Sequence, residues 1–197
     1  SECGGIKCYL SDCNFTSTRI RFNSVGYIGG AFTIQESSLH LYDTLVENNT
    51  ASIAGGGIFG YSANSAQSTS IKIYSSTIRY NKVSSGAFNT YDGGGGINIR
   101  YRVSLFISMS SIHSNTANVC GQDIQTRADT GEVPSVTLVN VYFKQTANQF
   151  YGWNADTSSE GFATNTCLHS PCTVFPFTGI CTNRTGNLGV LCDYGEE

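Results

Sequence analysis

The feature that most constrains this chain is a phrase of residues that recurs with its spacing kept. Five segments begin with an apolar residue at a position that we call zero: Cys13, Leu39, Ile71, Leu105 and Val136. Apolar residues follow at positions two and seven of every segment, and successive segments start 26 to 34 residues apart. This period is too short for a domain and predicts a solenoid in which each segment forms one coil.

Around position zero the pattern predicts β-strands. Positions zero and two are apolar, and the residue between them is His40, Lys72, Phe106 or Thr137 in the later segments. This alternation has the two-residue period of a strand with one buried face. Two inserts rich in Gly, Ser and Asn, GYSANSAQSTS after Ile58 and VSSGAFNTYDG after Asn81, leave the columns intact and are predicted as loops. A β-solenoid tolerates such insertions at its corners.

Two further columns are predicted to shape the corners. Asparagine stands at position ten as Asn23, Asn49, Asn81 and Asn115, with Thr146 in the fifth segment; glycine follows six residues later as Gly29, Gly55, Gly121 and Gly152. The third segment reaches its Gly93–Gly96 run after seven extra residues. Glycine suits a corner with positive φ, and asparagine suits the same left-handed region or a rung-to-rung amide ladder. We assign both columns to the scaffold.

The strings FNSVGYIGGAF, VENNTASIAGGGI and NTANVCGQDI resemble the paired FxxN and GGAI motifs of the polymorphic outer-membrane protein repeats, which also occur in eukaryotic extracellular proteins. The resemblance covers roughly residues 13–152 and departs from the family pattern at Gln122, Asp123 and Thr146. It implies an all-β fold, a right-handed single-stranded parallel β-helix of about five coils. Family members are adhesins or surface proteins, and no catalytic residue is carried over.

Composition narrows the partners. Only 13% of the 197 residues are charged, the net charge is -3 and no basic run occurs, which speaks against nucleic acid. There is no apolar stretch of eighteen residues and no signal peptide, so a membrane span is not predicted. Because the sequence begins Ser-Glu-Cys without Met, we expect a processed or partial chain from a longer secreted precursor.

The cysteines predict an oxidising, extracellular compartment and disulfides rather than zinc, since no CxxC pair occurs. All eight are candidates: Cys3, Cys8, Cys13, Cys120, Cys167, Cys172, Cys181 and Cys192. Three form a front group and five, with Cys120, form a back group; five stacked coils separate the groups by roughly 20 Å at the strand spacing, whereas a disulfide needs Cα atoms within about 7 Å. Two thiols therefore stay free, or the tail folds back along the stack, or a front cysteine bonds another subunit. Cys13 could also be a buried free thiol.

Three sequons, at Asn14, Asn48 and Asn183, are typical of a secreted glycoprotein, and N-linked glycans are the only attached group expected. Asn14 lies between inward-pointing Cys13 and Phe15, and Asn48 precedes the corner Asn49. The repeat therefore predicts that both asparagines are exposed.

The chain divides into three parts. Residues 1–12 are a cysteine-bearing lead-in or N-terminal cap, residues 13–155 are the β-helix repeats, and residues 156–197 are a loop-rich segment with disulfides that acts as a cap. The ending GNLGVLC resembles the cysteine-rich modules that follow such β-helices, but four cysteines are too few for a full EGF-like module.

Parallel β-helices include enzymes that act on polysaccharides, so catalysis is the third possibility for this chain. Such sites need clustered carboxylates or calcium. The aspartates here do not recur at neighbouring positions of adjacent coils, and we predict no catalytic residue, no metal and no enzyme.

Two other functions follow from the predicted outer surface. The first is a structural protein: a rigid extracellular building block of a cell-surface layer or filament that self-assembles by end-to-end stacking. The second is an adhesion module that recognises a glycan or receptor through a face containing Tyr42, Tyr74, Arg79 and Tyr80. These tyrosines could equally be ordinary outward strand residues.

Overall fold

The structure of this chain is a computed structural model, and it describes residues 3–63, 67–84, 93–117, 122–128, 134–139, 141–143, 150–154, 179–183 and 190–194. All regular structure in these residues is β-strand. The strands follow one another around a repeating circuit. The first coil contains β1 (Ile6–Tyr9), β2 (Asp12–Thr16), β3 (Arg19–Arg21) and β4 (Ser24–Val25); the second contains β5 (Phe32–Gln35), β6 (Ser38–Tyr42), β7 (Leu45–Glu47) and β8 (Thr50–Ala51).

The later coils repeat this order. The third contains β9 (Ile58–Tyr61), β10 (Thr69–Tyr74), β11 (Thr77–Arg79) and β12 (Lys82–Val83); the fourth contains β13 (Ile97–Arg100), β14 (Val103–Ser108) and β15 (Ser111–His113). The fifth contains β16 (Ile124–Ala128), β17 (Ser135–Val139) and β18 (Tyr142–Phe143), followed by β19 (Phe150–Asn154), β20 (Gly179–Asn183) and β21 (Val190–Tyr194). Both predicted loop inserts are partly wrong, because Gly60 and Tyr61 belong to β9, Thr69 and Ser70 to β10, and Val83 to β12.

Equivalent strands of successive coils form four sheets. Sheet A joins β1, β5, β9, β13, β16 and β19; sheet B joins β2, β6, β10, β14 and β17; sheet C joins β3, β7, β11, β15 and β18; sheet D joins β4, β8 and β12. Neighbouring strands in these sets are parallel. The chain is therefore a parallel β-solenoid of about five coils, as predicted.

The predicted apolar rows point into one continuous core. In sheet B, Leu39 pairs with Ile71 and Leu105 with Val136, so position zero stacks on position zero. The row at position seven contains Val46, Ile78 and Ile112, all with 0% of their surface exposed. Full burial of such a side chain contributes about 1.5–3 kcal/mol, and a single rung has too few of them to be stable alone.

The corner between sheets C and D is held by an amide ladder. The Nδ2 of Asn23, Asn49 and Asn81 donates to the Oδ1 of the asparagine in the next coil at 2.9, 2.9 and 3.0 Å, and Asn115 donates to Asp123 at 2.7 Å. The rung-to-rung prediction is thus confirmed. The left-handed prediction for these asparagines is wrong, because the residue before each one, such as Asn48 before Asn49, has the positive φ.

Two other corners use hydroxyl groups in the same way. Between sheets B and C, the Oγ of Ser76 donates to the Tyr74 carbonyl at 2.7 Å and accepts the N–H of Thr44 at 3.0 Å. Ser110 repeats this arrangement one coil later, accepting from Ser76 N–H at 3.1 Å. Between sheets A and B, Ser37 accepts the N–H of Ser11 at 3.1 Å.

The corner between sheets D and A uses glycine. Gly29, Gly55 and Gly94 have φ of +64°, +63° and +66°, and a Cβ there would lie 2.1–2.4 Å from a neighbouring atom. The prediction for Gly152 is wrong: it lies inside β19 opposite Thr126. Phe150 pairs with Ile124, so the fifth coil reaches sheet A sooner than the column spacing predicts. Gly121 lies outside the described residues.

The two ends of the solenoid differ. At the front, β1 belongs to sheet A, and Cys8 of sheet A bonds Cys13 of sheet B with an S–S distance of 2.09 Å. The alternative that Cys13 is a free thiol is therefore wrong. At the back, β20 and β21 form an antiparallel hairpin that continues sheet B beyond β17, with Cys181 directly opposite Cys192. Cα atoms so paired are about 4.5–5.5 Å apart, which a disulfide can span.

We expect the asparagines in the middle of the amide ladder to contribute more to the free energy of unfolding than the one at its end. Replacing Asn81 with alanine removes the acceptor of Asn49 and the donor to Val46 O, all of them buried. Each buried group left unsatisfied costs about 1–3 kcal/mol, so Asn81→Ala should lower the free energy of unfolding by about 3 kcal/mol or more. Denaturant unfolding measures this loss. The matched control is Asn23→Ala at the half-buried first rung, and equal losses in both variants would contradict the ladder.

Adjacent serines test the hydroxyl column. Ser76→Ala leaves the buried N–H of Thr44 without its acceptor and should cost about 1–3 kcal/mol. Ser75→Ala, one residue earlier at the exposed corner position, should change stability by less than about 0.5 kcal/mol. Thermal or denaturant unfolding of the pair measures the difference, and a neutral Ser76→Ala variant would show that the column does not stabilise the stack.

Candidate functional site on the outer face of the solenoid

The outer face of sheet B carries a row of aromatic side chains, Tyr42, Tyr74 and Phe106, which we call the aromatic row. Tyr42 and Tyr74 are opposite each other in parallel strands, and their rings stack at 4.8 Å with an angle of 4°. Phe106 continues the row at 5.5 Å from Tyr74, and His40 meets the edge of Tyr42 at 6.4 Å. Strand spacing thus aligns aromatic rings of successive coils in one row, with the stacked faces of Tyr42 and Tyr74 turned toward each other.

The outer face of sheet C carries charged side chains instead. Arg79 donates to Oε2 of Glu47 through Nε at 3.1 Å and Nη2 at 3.0 Å, and the Glu47 side chain is only 12% exposed. The register that pairs β7 with β11 places these two residues side by side. The charge of Arg79 is therefore compensated within the solenoid.

The four residues predicted to share a binding face lie on two surfaces. Tyr42 and Tyr74 belong to sheet B, whereas Arg79 ends a strand of sheet C and Tyr80 occupies the next corner, with φ of 55°. The guanidinium of Arg79 lies 5.5 Å from the centre of the Tyr80 ring, so of the four predicted residues Arg79 and Tyr80 form one surface and the other two form a second. His40 and Phe106 extend the sheet B part of the surface. Both stand at position one, between inward positions zero and two, and this place in the repeat predicts that they face outward.

Shallow polar grooves follow two corners. One, of about 370 Å³, runs between sheets B and C and contains Ser17, Asp43 and Ser75; the other, of about 580 Å³, runs between sheets A and B and contains Ser11, Asp12 and Ser38. The carboxylate in each groove accepts a hydrogen bond from a serine of the neighbouring coil: Asp43 from Ser17 at 2.8 Å, and Asp12 from Ser38. These aspartates thus have a structural partner.

Sequence reasoning missed these serine and threonine columns. Positions four and five of successive segments contain Ser-Thr, Asp-Thr, Ser-Ser and Met-Ser, a recurrence that was visible beside the asparagine column. Within the described residues, no group of three or more histidine, cysteine, aspartate or glutamate side chains could hold a metal ion.

Two sequons occupy exposed positions. Asn14 lies in the middle of β2 on the outer face of sheet B, next to His40 of the second coil. Asn48 lies at the corner after β7, with φ of 54°. Asn183 ends β20, and its side chain lies outside the described residues, as do Cys120, Cys167 and Cys172. Glycosylation of these asparagines stays a prediction.

Among the residues that the structure describes, none forms a helix of the length and apolarity needed to cross a membrane. Comparison of the chain with known protein families, with curated proteins and with solved structures finds no match. The stacked parallel sheets in repeating order are therefore what places the chain among β-solenoids.

Proposed function

We propose that this chain is an extracellular structural glycoprotein, a rigid β-solenoid building block of a cell-surface layer or filament, related to the polymorphic outer-membrane protein repeats. The motifs in residues 13–152 support this relationship, and the cysteines and sequons support an extracellular location. Its partners are like subunits or other extracellular proteins. A solenoid suits this role because its stiffness comes from every rung bonding the next.

The observation that carries the proposal is the strand edge at the front. Among the described residues, β1 to β4 pair only with the second coil. The N–H groups of Ile6 and Leu10 donate to that coil, so strand alternation turns the N–H of Tyr9 the other way. Such an edge pairs readily with a further strand, either of a longer form of this chain or of a second subunit, and the proposal takes the second subunit. At the back, among the described residues, the β20–β21 hairpin extends sheet B whereas sheets A and C end at β19 and β18, so end-to-end stacking is proposed between the front edge of one subunit and sheets A and C of the next.

Proline at the front edge tests this proposal. Tyr9→Pro removes the outward N–H while keeping the bonds to the second coil, and proline is tolerated on edge strands. Electron microscopy and analytical ultracentrifugation of the secreted chain should show regular assemblies that Tyr9→Pro reduces at least about tenfold in association constant, which corresponds to about 1.4 kcal/mol.

Tyr9→Ser is the matched control, because it removes the same exposed ring and retains the N–H. It should assemble like the unchanged chain. A chain that stays monomeric at all concentrations would overturn the structural proposal.

The aromatic row favours a second function, recognition of a glycan. Tyr42 is 41% exposed, and its ring is aligned with that of Tyr74 at 4.8 Å. Aromatic rings contribute strongly to binding surfaces. We expect Tyr42→Ser to weaken binding to any glycan selected on an array by about tenfold, measured by calorimetry, with Tyr9→Ser unchanged. Equal binding by both variants would place the recognition surface elsewhere.

A further inference from the structure

The corner between sheets C and D presents a column of residues that the proposed assembly does not use. Phe22, Asn48, Tyr80 and Ser114 occupy the same place in successive coils, with φ of 60°, 54°, 55° and 58°. We call them the C–D corner column. Positive φ is uncommon for bulky residues, yet two of these four are aromatic. The turn requires the left-handed conformation at this position in each of these coils, so the side chains at the corner are carried outward whatever their type.

Asn48 lies between the two aromatic residues. The amide ladder joins Asn23 to Asn49 and Asn49 to Asn81, each at 2.9 Å, which fixes the register one residue away. The paired strands place Arg21 and Arg79 on either side of Glu47, which fixes the register at the residue before Asn48. Asn48 is thus about one strand spacing, about 4.8 Å, from Phe22 on one side and from Tyr80 on the other.

Both rings have free surface. Phe22 is 70% exposed and Tyr80 is 52% exposed. The guanidinium carbon of Arg21 lies 5.4 Å from the centre of the Phe22 ring, and that of Arg79 lies 5.5 Å from the centre of the Tyr80 ring, so each ring has an arginine beside it and still leaves half or more of its surface open. An exposed apolar pair on each side of a sequon is an arrangement that a sugar ring fits, because its C–H face is apolar and its hydroxyls point away.

We propose that the first N-acetylglucosamine of a glycan on Asn48 packs between Phe22 and Tyr80, so that the C–D corner column holds the chain's own sugar. The linkage forms when the Asn48 amide nitrogen displaces the lipid diphosphate from the anomeric carbon of a lipid-linked oligosaccharide. A C–N bond forms, a C–O bond breaks and the amide loses a proton. The packed sugar covers both rings and stiffens the corner.

The test isolates one sugar. The full chain is secreted from a eukaryotic host with Asn14→Gln and Asn183→Gln, so that of the three sequons only the one at Asn48 remains. An endoglycosidase then leaves a single N-acetylglucosamine on Asn48, and the sugar-free form is the same chain with Thr50→Ala, which removes the sequon and keeps Asn48. Thermal unfolding is measured for both forms, and again with Phe22→Gly and Tyr80→Gly, which the positive φ accommodates. Tyr9→Ser, which removes an exposed tyrosine at the end of β1, is the control.

With both rings present, the single sugar should raise the unfolding midpoint by about 2–4 °C, the shift expected for about 1 kcal/mol in a chain of this size. The rise should fall to below about 1 °C in the double glycine variant and persist in Tyr9→Ser. Protons of the sugar should also show upfield ring-current shifts that the glycine variant loses. An unmodified Asn48, or a rise that is equal with and without the rings, would overturn the proposal.

Discussion

The register of the whole stack depends on polar side chains that are buried at the corners and are satisfied by the neighbouring coil. Asn49, Asn81 and Asn115 are at most 2% exposed, and each amide accepts from the coil before it. A shift of two residues would keep the apolar side chains inward but would leave several buried donors without acceptors, at about 1–3 kcal/mol each. The apolar rows supply most of the favourable burial energy, but this energy is nearly indifferent to which apolar residue meets which. The ladders decide the alignment.

The same constraint determines the outer surface. Once the coils are in register, equal positions of successive coils lie at the strand spacing, so any outward residue type that recurs becomes a row. The rings of Tyr42 and Tyr74 stack for this reason, and Glu47 forms an ion pair with Arg79 for the same reason. Asn48 lies between Phe22 and Tyr80 for the same reason. A binding surface on a solenoid therefore consists of columns of residues, and the contacts of each outward residue are made with its neighbours one coil away.

The ends of the stack follow different physics from its middle. Each interior rung has partners on both sides, whereas a terminal rung exposes backbone groups and apolar side chains. Ile6, Cys13 and Phe15 of the first coil pack on the core and remain only partly buried. The Cys8–Cys13 bond links two sheets across this rung, and the antiparallel β20–β21 hairpin covers the last strand of sheet B. Both features stabilise coils that have a described neighbouring coil on one side only.

The sequence by itself determined the solenoid, its inward rows and the amide ladder, because these features repeat at a fixed period and local spacing specifies them. Only the tertiary structure decided three other features. Asp123 ends the ladder eight residues after Asn115, Cys13 bonds Cys8 rather than staying free, and Gly152 enters a strand rather than a corner. Each of these features depends on which residues are in contact where the repeat is interrupted. The spacing of a column along the chain does not specify such contacts.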